Sequence, residues 1–467
     1  MRILMIAMSG VRACDEELLA LGLTLPGFVE RSETIASLPS LGLLTLAGMT
    51  PGEHRVAYRD VEQFVGESAD DWPAWAGVCE ELGSEPELAA VSTFTAQALE
   101  AYAVADALRA AGVKVVMGGL HVTTLPGEAL QHADAAMVGE GEICWPNILR
   151  DAEAGRMQGV YRSAPKRFDL ADAPMPAFEL LDMDRYNRIT LQTTRGCPMR
   201  CAFCASSILL TDAYTSKPVE KVLAEVDAII ARWPRPFLEF ADDNSFVNCR
   251  HWRQLLPRLA ERKTRWFTET DLGIAFDDEL LAMMADAGCV EVLIGLESPV
   301  EDGLRLLETR GDWKARHLKD YEAGVKNIQS HGIRVNGCFV LGLDGHGPDI
   351  FDRVFDAAER YELYDVQITL QTPFPGTPLY KRLKKQGRLT HDGQWERYTL
   401  FDVTHEPDGM SATELVDGFR DLAVRLYSDE QTKRRRDTFN RKYRRGRRGT
   451  AARSNASSGA DLDAKSA

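Results

Sequence analysis

Thr193-Thr194-Arg195-Gly196-Cys197-Pro198-Met199-Arg200-Cys201-Ala202-Phe203-Cys204 sets three cysteines at C-x3-C-x2-C, directly after a stretch over 188–194 that reads as a strand. Three thiolates so spaced can hold three irons of a [4Fe–4S] cube and leave the fourth iron without a protein ligand. That open iron can bind a small molecule. The loop after a barrel's first strand is where such a site belongs. A structural zinc centre would instead want four closed ligands in paired C-x2-C or C-x2-C/H-x3-H sets. A chance cluster of three exposed thiols would be a redox liability.

Downstream of the cysteine loop, strand and helix alternate. The pattern predicts strands at 188–194, 237–241, 265–270, 290–295, 334–340 and 366–370, with helices near 218–232, 251–263, 277–287, 317–331 and 348–361. Six such units suit a partial (β/α)6 barrel of the TIM type over 188–385. A helical segment is expected over 386–443 and a disordered tail over 444–467. Upstream, residues 1–8, 54–60, 88–93, 113–117 and 135–139 read as strands, the last of them closing an open Rossmann-like sheet over 1–150. Pro165, Pro174 and Pro176 mark 151–187 as the interdomain linker. The fold class is therefore α/β.

At the cysteine loop the chain resembles the radical S-adenosylmethionine (SAM) superfamily, and Phe203 just before the last cysteine matches its pattern. The resemblance runs through the barrel. It implies a [4Fe–4S] cluster on Cys197, Cys201 and Cys204, and reductive cleavage of SAM to methionine and a 5′-deoxyadenosyl radical that takes a hydrogen atom from substrate. By the same resemblance, Asp242 and Asp243 stand where the family holds the SAM amino group, and Glu269 and Glu297 where it meets the ribose or carboxylate. Local capping by the two aspartates, and ion pairs within the barrel for the two glutamates, are the structural alternatives. The 335–342 segment resembles the strand that packs on adenine.

In the first half, Gly118-Gly119-Leu120-His121-Val122-Thr123 and Val138-Gly139-Glu140-Gly141-Glu142 resemble the cobalamin (B12)-binding domain fused to one radical SAM subfamily. The 373–379 segment, Pro-Phe-Pro-Gly-Thr-Pro-Leu, also looks like that subfamily. Gly118, Gly119, His121, Gly139 and Glu140 are the implied cobalamin contacts, on loops at the carboxyl ends of strands. The D-x-H-x-x-G motif that donates a histidine to cobalt is absent, and Asp344-Gly345-His346 lies in the wrong domain. A loop histidine making hydrogen bonds is the alternative for His121. The implied activity is cobalamin-dependent C-methyl transfer to a small metabolite or natural-product intermediate. Radical cyclisation or rearrangement, RNA modification and a non-catalytic iron–sulfur protein are the other readings.

Composition narrows these. The chain has 467 residues and a net charge of −15, which argues against a surface that tracks phosphates throughout. One run opposes that balance, with ten Lys or Arg between Lys433 and Arg448, and it reads as a solvated helix end. Expected partners are a small-molecule substrate and an electron donor such as flavodoxin or ferredoxin, not nucleic acid. Six scattered cysteines read as small buried hydrophobes in a reducing compartment. With no membrane-length apolar run and no signal-peptide core, a cytoplasmic location is expected.

Overall fold

The computed structural model describes the chain except residues 11–12, 15, 21–37, 63, 65, 67, 165–166, 207–213, 306, 310 and 444–467. The tail expected to be disordered, with the last four basic residues of the 433–448 run, lies outside the described residues.

The first sheet holds β1 (Arg2–Met8), β2 (Arg55–Val61), β3 (Leu88–Ser92), β4 (Lys114–Gly118), β5 (Ala135–Val138) and β6 (Gly159–Arg162). All are parallel, in the order β2-β1-β3-β4-β5-β6. Ile3 to Ile6 are wholly buried, as a central parallel strand covered on both faces requires. The chain order reverses between β1 and β3, and a doubly wound sheet binds its ligand outside the carboxyl ends at that switch point. β6 is a correction: it extends this sheet from within the segment read as linker. Its residues alternate between half-buried and exposed at the sheet edge, so the sequence there carries no apolar run to announce a strand.

The second sheet is β7 (Ile189–Leu191), β8 (Phe237–Phe240), β9 (Arg265–Thr270), β10 (Cys289–Glu297), β11 (Arg334–Leu341) and β12 (Asp365–Leu370), paired in sequence order and all parallel. This is an open six-stranded barrel wall. On its outer face Phe240, Trp252 and Trp266 pack with ring centroids 5.2–5.7 Å apart, seating helix Cys249–Ala260. Parallel partners share a face, so the registers Glu239↔Phe267 and Glu269↔Leu293 put Glu239 and Glu269 together on the inner wall.

The closing segment departs from expectation as well. Helices Ala412–Tyr427 and Asp429–Lys442 are present, but 386–411 holds only turns and one short 3-10 turn at Trp395–Arg397. This stretch returns to the first domain, where Trp395 and Tyr398 join its core and the Trp395 indole donates to Glu128 at 2.8 Å. Trp395 and Tyr398 bury in the first-domain core while Phe401 and Met410 join a different one, so the apolar residues show no helical period.

Candidate functional site: a cysteine loop facing a glycine-lined cavity

The cysteine loop leaves β7 through a tight turn, with Gly196 and Arg200 in left-handed backbone conformation (φ 90° and 52°). Asp242 holds its entrance. One carboxylate oxygen accepts the Thr193 and Thr194 amides at 2.8 and 2.9 Å, and the other accepts the Thr193 hydroxyl and the Ser245 hydroxyl, the latter at 3.0 Å. Burial pushes the Asp242 carboxyl up, and these four donors offset only part of that rise. Asp243 accepts the Gly196 amide at 2.8 Å and the Ser206 hydroxyl on the far side of the cysteines. Two further segments of chain staple the loop: Ala202 N–H donates to Leu307 O at 2.7 Å and Thr309 N–H to Arg200 O at 3.1 Å, and Leu379 N–H donates to Ala202 O at 3.1 Å.

Burial raises the Cys197 and Cys201 thiols above the ordinary range. The loop supplies three thiols, one fewer than the closed ligand set of a structural zinc centre. A cube asks for something else, one soft sulfur donor per iron, and three thiols on one loop supply it.

The barrel wall next to the loop is acidic. Glu269 faces open space inside the barrel, and its position deep within the protein, then the nearby Glu239 and Asp243 carboxylates, raise it to about 7, with Arg188 opposing. Arg188 is itself ion-paired with Glu239. A carboxyl group short of a cation suits a ligand that carries a sulfonium and an ammonium, as SAM does. Glu297 takes a left-handed conformation (φ 64°) at a register shift in β10, a costly geometry for a non-glycine residue. There it pairs with buried Lys314 at 2.9 Å, and Lys314 also donates to Gly295 O. Gly295 makes room for this pair, since a Cβ there would lie 2.4 Å from the Glu297 carboxylate.

Across from the loop, a cavity of about 400 Å³ opens at the carboxyl ends of β3 and β4. Its walls include Gly42, Ser92, Phe94 and Gly118 from the first domain, and Gln192, Ser206 and Asp243 from the barrel. A Cβ on Gly42 would meet nothing within 4 Å and would project into open space. None of the described residues lining this cavity is a histidine. At its floor the two domains lock together. Arg195, two residues before Cys197, reaches Glu140 at 3.0 Å and Glu142 at 2.7 Å, and Gln192 at 3.1 Å. Burial works against its charge, but the two carboxylates outweigh it and raise its pKa.

The structure thus gathers Asp243, Gly118, Gly119, Gly139 and Glu140 around one cavity and Cys197, Cys201 and Cys204 beside it. Asp242 and His121 take other positions, and Glu140 lines the cavity but is engaged by protein partners. Asp242 spends both oxygens on the loop and has none to offer a ligand. Glu140 is committed to Arg195 and to the Phe168 amide at 2.9 Å. His121 is wholly buried beneath the loop, edge-on to Trp395 with centroids 5.3 Å apart, and burial lowers it to about 4. Gly119 earns its place by packing: at φ 105° its Cβ would sit 2.4 Å from Thr93 O. Arg195, Glu142 and Lys314 went unread in the sequence. Glu142 and Arg195 stand within the glycine and cysteine motifs, where their charge is the signal that could have given them a role, whereas Lys314 sits in a five-residue helix without any.

Comparison with known proteins agrees with this geometry. Residues 191–358 match the radical SAM superfamily, residues 35–149 a B12 binding domain, and residues 377–464 a domain of unknown function, DUF4070. The chain is 27% identical over 347 residues to a bacteriochlorophyllide d C-12(1)-methyltransferase of Chlorobaculum tepidum, covering 73% of this chain and 75% of that one. It is 28% identical over 415 residues to a hopanoid C-2 methylase of Rhodopseudomonas palustris, covering 87% and 74%. Among solved structures, the radical SAM methyltransferase TsrM from Kitasatospora setae, with cobalamin and a [4Fe–4S] cluster bound, shares the fold at a TM-score of 0.61 and 16% identity, covering 82% and 78%. OxsB with aqua-cobalamin does so at 0.62 and 14%, covering 89% and 65%. The cofactors that go with these domains are a [4Fe–4S] cluster, SAM and cobalamin. The chain thus carries a radical SAM domain over residues 191–358, with a B12-binding domain over residues 35–149 ahead of it.

Proposed function

We propose that the protein is a cobalamin-dependent C-methyltransferase acting on a small-molecule carbon that ordinary nucleophilic chemistry cannot reach. The observation that carries this reading is the shared cavity: the carboxyl edge of the first sheet lines it together with Arg195 and Ser206, the residues that flank the three cysteines. When bound, the cluster and SAM supply a radical that removes a hydrogen atom from an unactivated carbon, and cobalamin carries the methyl group.

The chain's own residues do the positioning. Cys197, Cys201 and Cys204 hold three irons, and Asp242 and Asp243 fix the loop that presents them. Glu269 receives the positive end of SAM. Gly42, where a Cβ would project into the open space, keeps the first-domain floor bare enough for a flat macrocycle to approach, and Gly118 and Gly119 line the same floor. Arg195 holds the two floors at a fixed separation, which radical transfer between them needs. The donor of the electron is a flavodoxin- or ferredoxin-class protein, and the reducing cytoplasm is the setting that suits nine cysteines, three of them iron ligands. No helix among the described residues is long and apolar enough to cross a membrane.

RNA modification loses its footing. In helix Asp429–Lys442 the basic side chains meet acidic neighbours: Arg434 pairs with Glu359 at 2.9 Å, Lys433 with Asp437 at 2.7 Å, and Lys442 with Glu362. Arg434 and Lys442 brace the helix to the barrel and Lys433 pairs within the helix, so these cations among the described residues already have acidic partners.

The test is anaerobic purification with cobalamin supplied, followed by iron and sulfide reconstitution. Bound corrinoid, an iron–sulfur absorption band, and SAM-derived 5′-deoxyadenosine lost in Cys201→Ala are expected. Zinc in place of the cluster would overturn the reading.

A further inference from the structure

A second, smaller cavity of about 170 Å³ lies beside the first, between the first domain, the cysteine loop and the returning 386–411 segment. Phe94 lines both cavities. Ala205, the residue after Cys204, forms one wall, and Leu120, Phe374, Pro375 and Leu400 form others. None of the ten residues lining it carries a formal charge. Phe94 is 55% exposed, a large aromatic ring left uncovered at the junction of the two spaces. An apolar cavity of about 150 Å³ is large enough to hold a benzene ring and gives a charged group nothing to pair with.

We propose that this cavity receives an uncharged, apolar, ring-sized or short branched-alkyl part of the substrate, and so selects substrates whose reacting carbon belongs to a hydrophobic skeleton. The proposal rests on the cofactor reading given above, because it is the cysteine loop and the glycine-lined cavity that make this position a reacting one. A group seated here touches the chain directly after Cys204 and lies one aromatic ring from the larger cavity. Polar or charged portions of the same molecule would remain outside. Phe94 is the positioning residue of the arrangement, the shared wall against which the substrate is set.

The probe pair is fluorobenzene and 4-fluorobenzoate, similar in ring and different in charge, followed by ¹⁹F NMR on the full-length, cluster-loaded protein. Fluorobenzene is expected to bind saturably and at least about tenfold more tightly than 4-fluorobenzoate, since the carboxylate finds no partner. Its bound signal should broaden when dithionite makes the cluster paramagnetic, which a hydrophobic site elsewhere would not do. Leu400 stands at φ 77°, a conformation asparagine tolerates, so Leu400→Asn puts an amide into the cavity without backbone strain. It should weaken fluorobenzene binding about tenfold, and Phe374→Ser is the second variant should the first not fold. Equal binding of the two probes, no broadening on reduction, or unchanged affinity in the variants would overturn the proposal while leaving the cofactor reading intact. Absence of corrinoid and 5′-deoxyadenosine in the wild-type preparation would overturn the cofactor reading, and the proposal with it.

Discussion

Arg195→Met removes the cation that joins the two cofactor-bearing halves. Glu140 and Glu142 are 8% and 9% exposed, and each takes one end of the guanidinium, at 3.0 and 2.7 Å. Deleting one member of a buried ion pair costs about 3–5 kcal/mol, mostly because the partner charge is left stranded. The Arg195 side chain is 17% exposed, which favours the lower end, about 3 kcal/mol. With two domains a single unfolding free energy is not well defined, so the readout should be local. Hydrogen–deuterium exchange of 139–145 and 193–206 reports opening at this contact, and a loss of about 3 kcal/mol speeds it about 100-fold. The triple variant Arg195→Met/Glu140→Gln/Glu142→Gln should recover much of the loss, because no charge is then left buried. Exchange within about threefold of wild type in the single variant, or a triple variant no better than the single, would refute the reasoning.

Three further outcomes follow from the same geometry. Glu269, raised to about 7, is largely neutral below that pH and anionic above it; a cationic ligand prefers the anion, so SAM affinity should climb from pH 6 to 8 by equilibrium dialysis and lose that slope in Glu269→Gln. Asp242→Ala strips four hydrogen bonds from the loop entrance, each worth about 1.5–3 kcal/mol to a charged acceptor, so iron retained after gel filtration should fall severalfold. Gly295→Ala would drive a methyl group to 2.4 Å from Glu297 and 3.1 Å from Lys314 Nζ; a lowered melting temperature and weakened SAM binding are expected, and an unchanged protein would show the wall to be more yielding than described.

The three cysteines, the alternation of strand and helix, and the glycine loops after β4 and β5 were legible because each is a local pattern. Their partners were not. Arg195 meets Glu140 and Glu142 across more than 50 residues of chain, and no spacing rule connects them. Asp242 and Asp243 stood at the right strand end, but only the folded loop shows Asp242 turned onto Thr193 and Thr194 while Asp243 faces the cavity. His121 follows a glycine pair that does line the cavity, yet one residue further on the chain has entered a helix whose inner face is core. The 386–411 stretch divides its apolar residues between the first-domain core and a different one, so they follow the shapes of remote surfaces and no periodicity of their own.

The most direct test of the account is to ask one preparation for both products of SAM. With corrinoid bound, the cluster reconstituted and SAM and reductant supplied, the protein should form 5′-deoxyadenosine and also S-adenosylhomocysteine, the mark of methyl donation. S-adenosylhomocysteine should disappear when corrinoid is left out. 5′-Deoxyadenosine alone, in protein that takes up no corrinoid, would contradict the claim that the two cavity floors serve one methyl transfer.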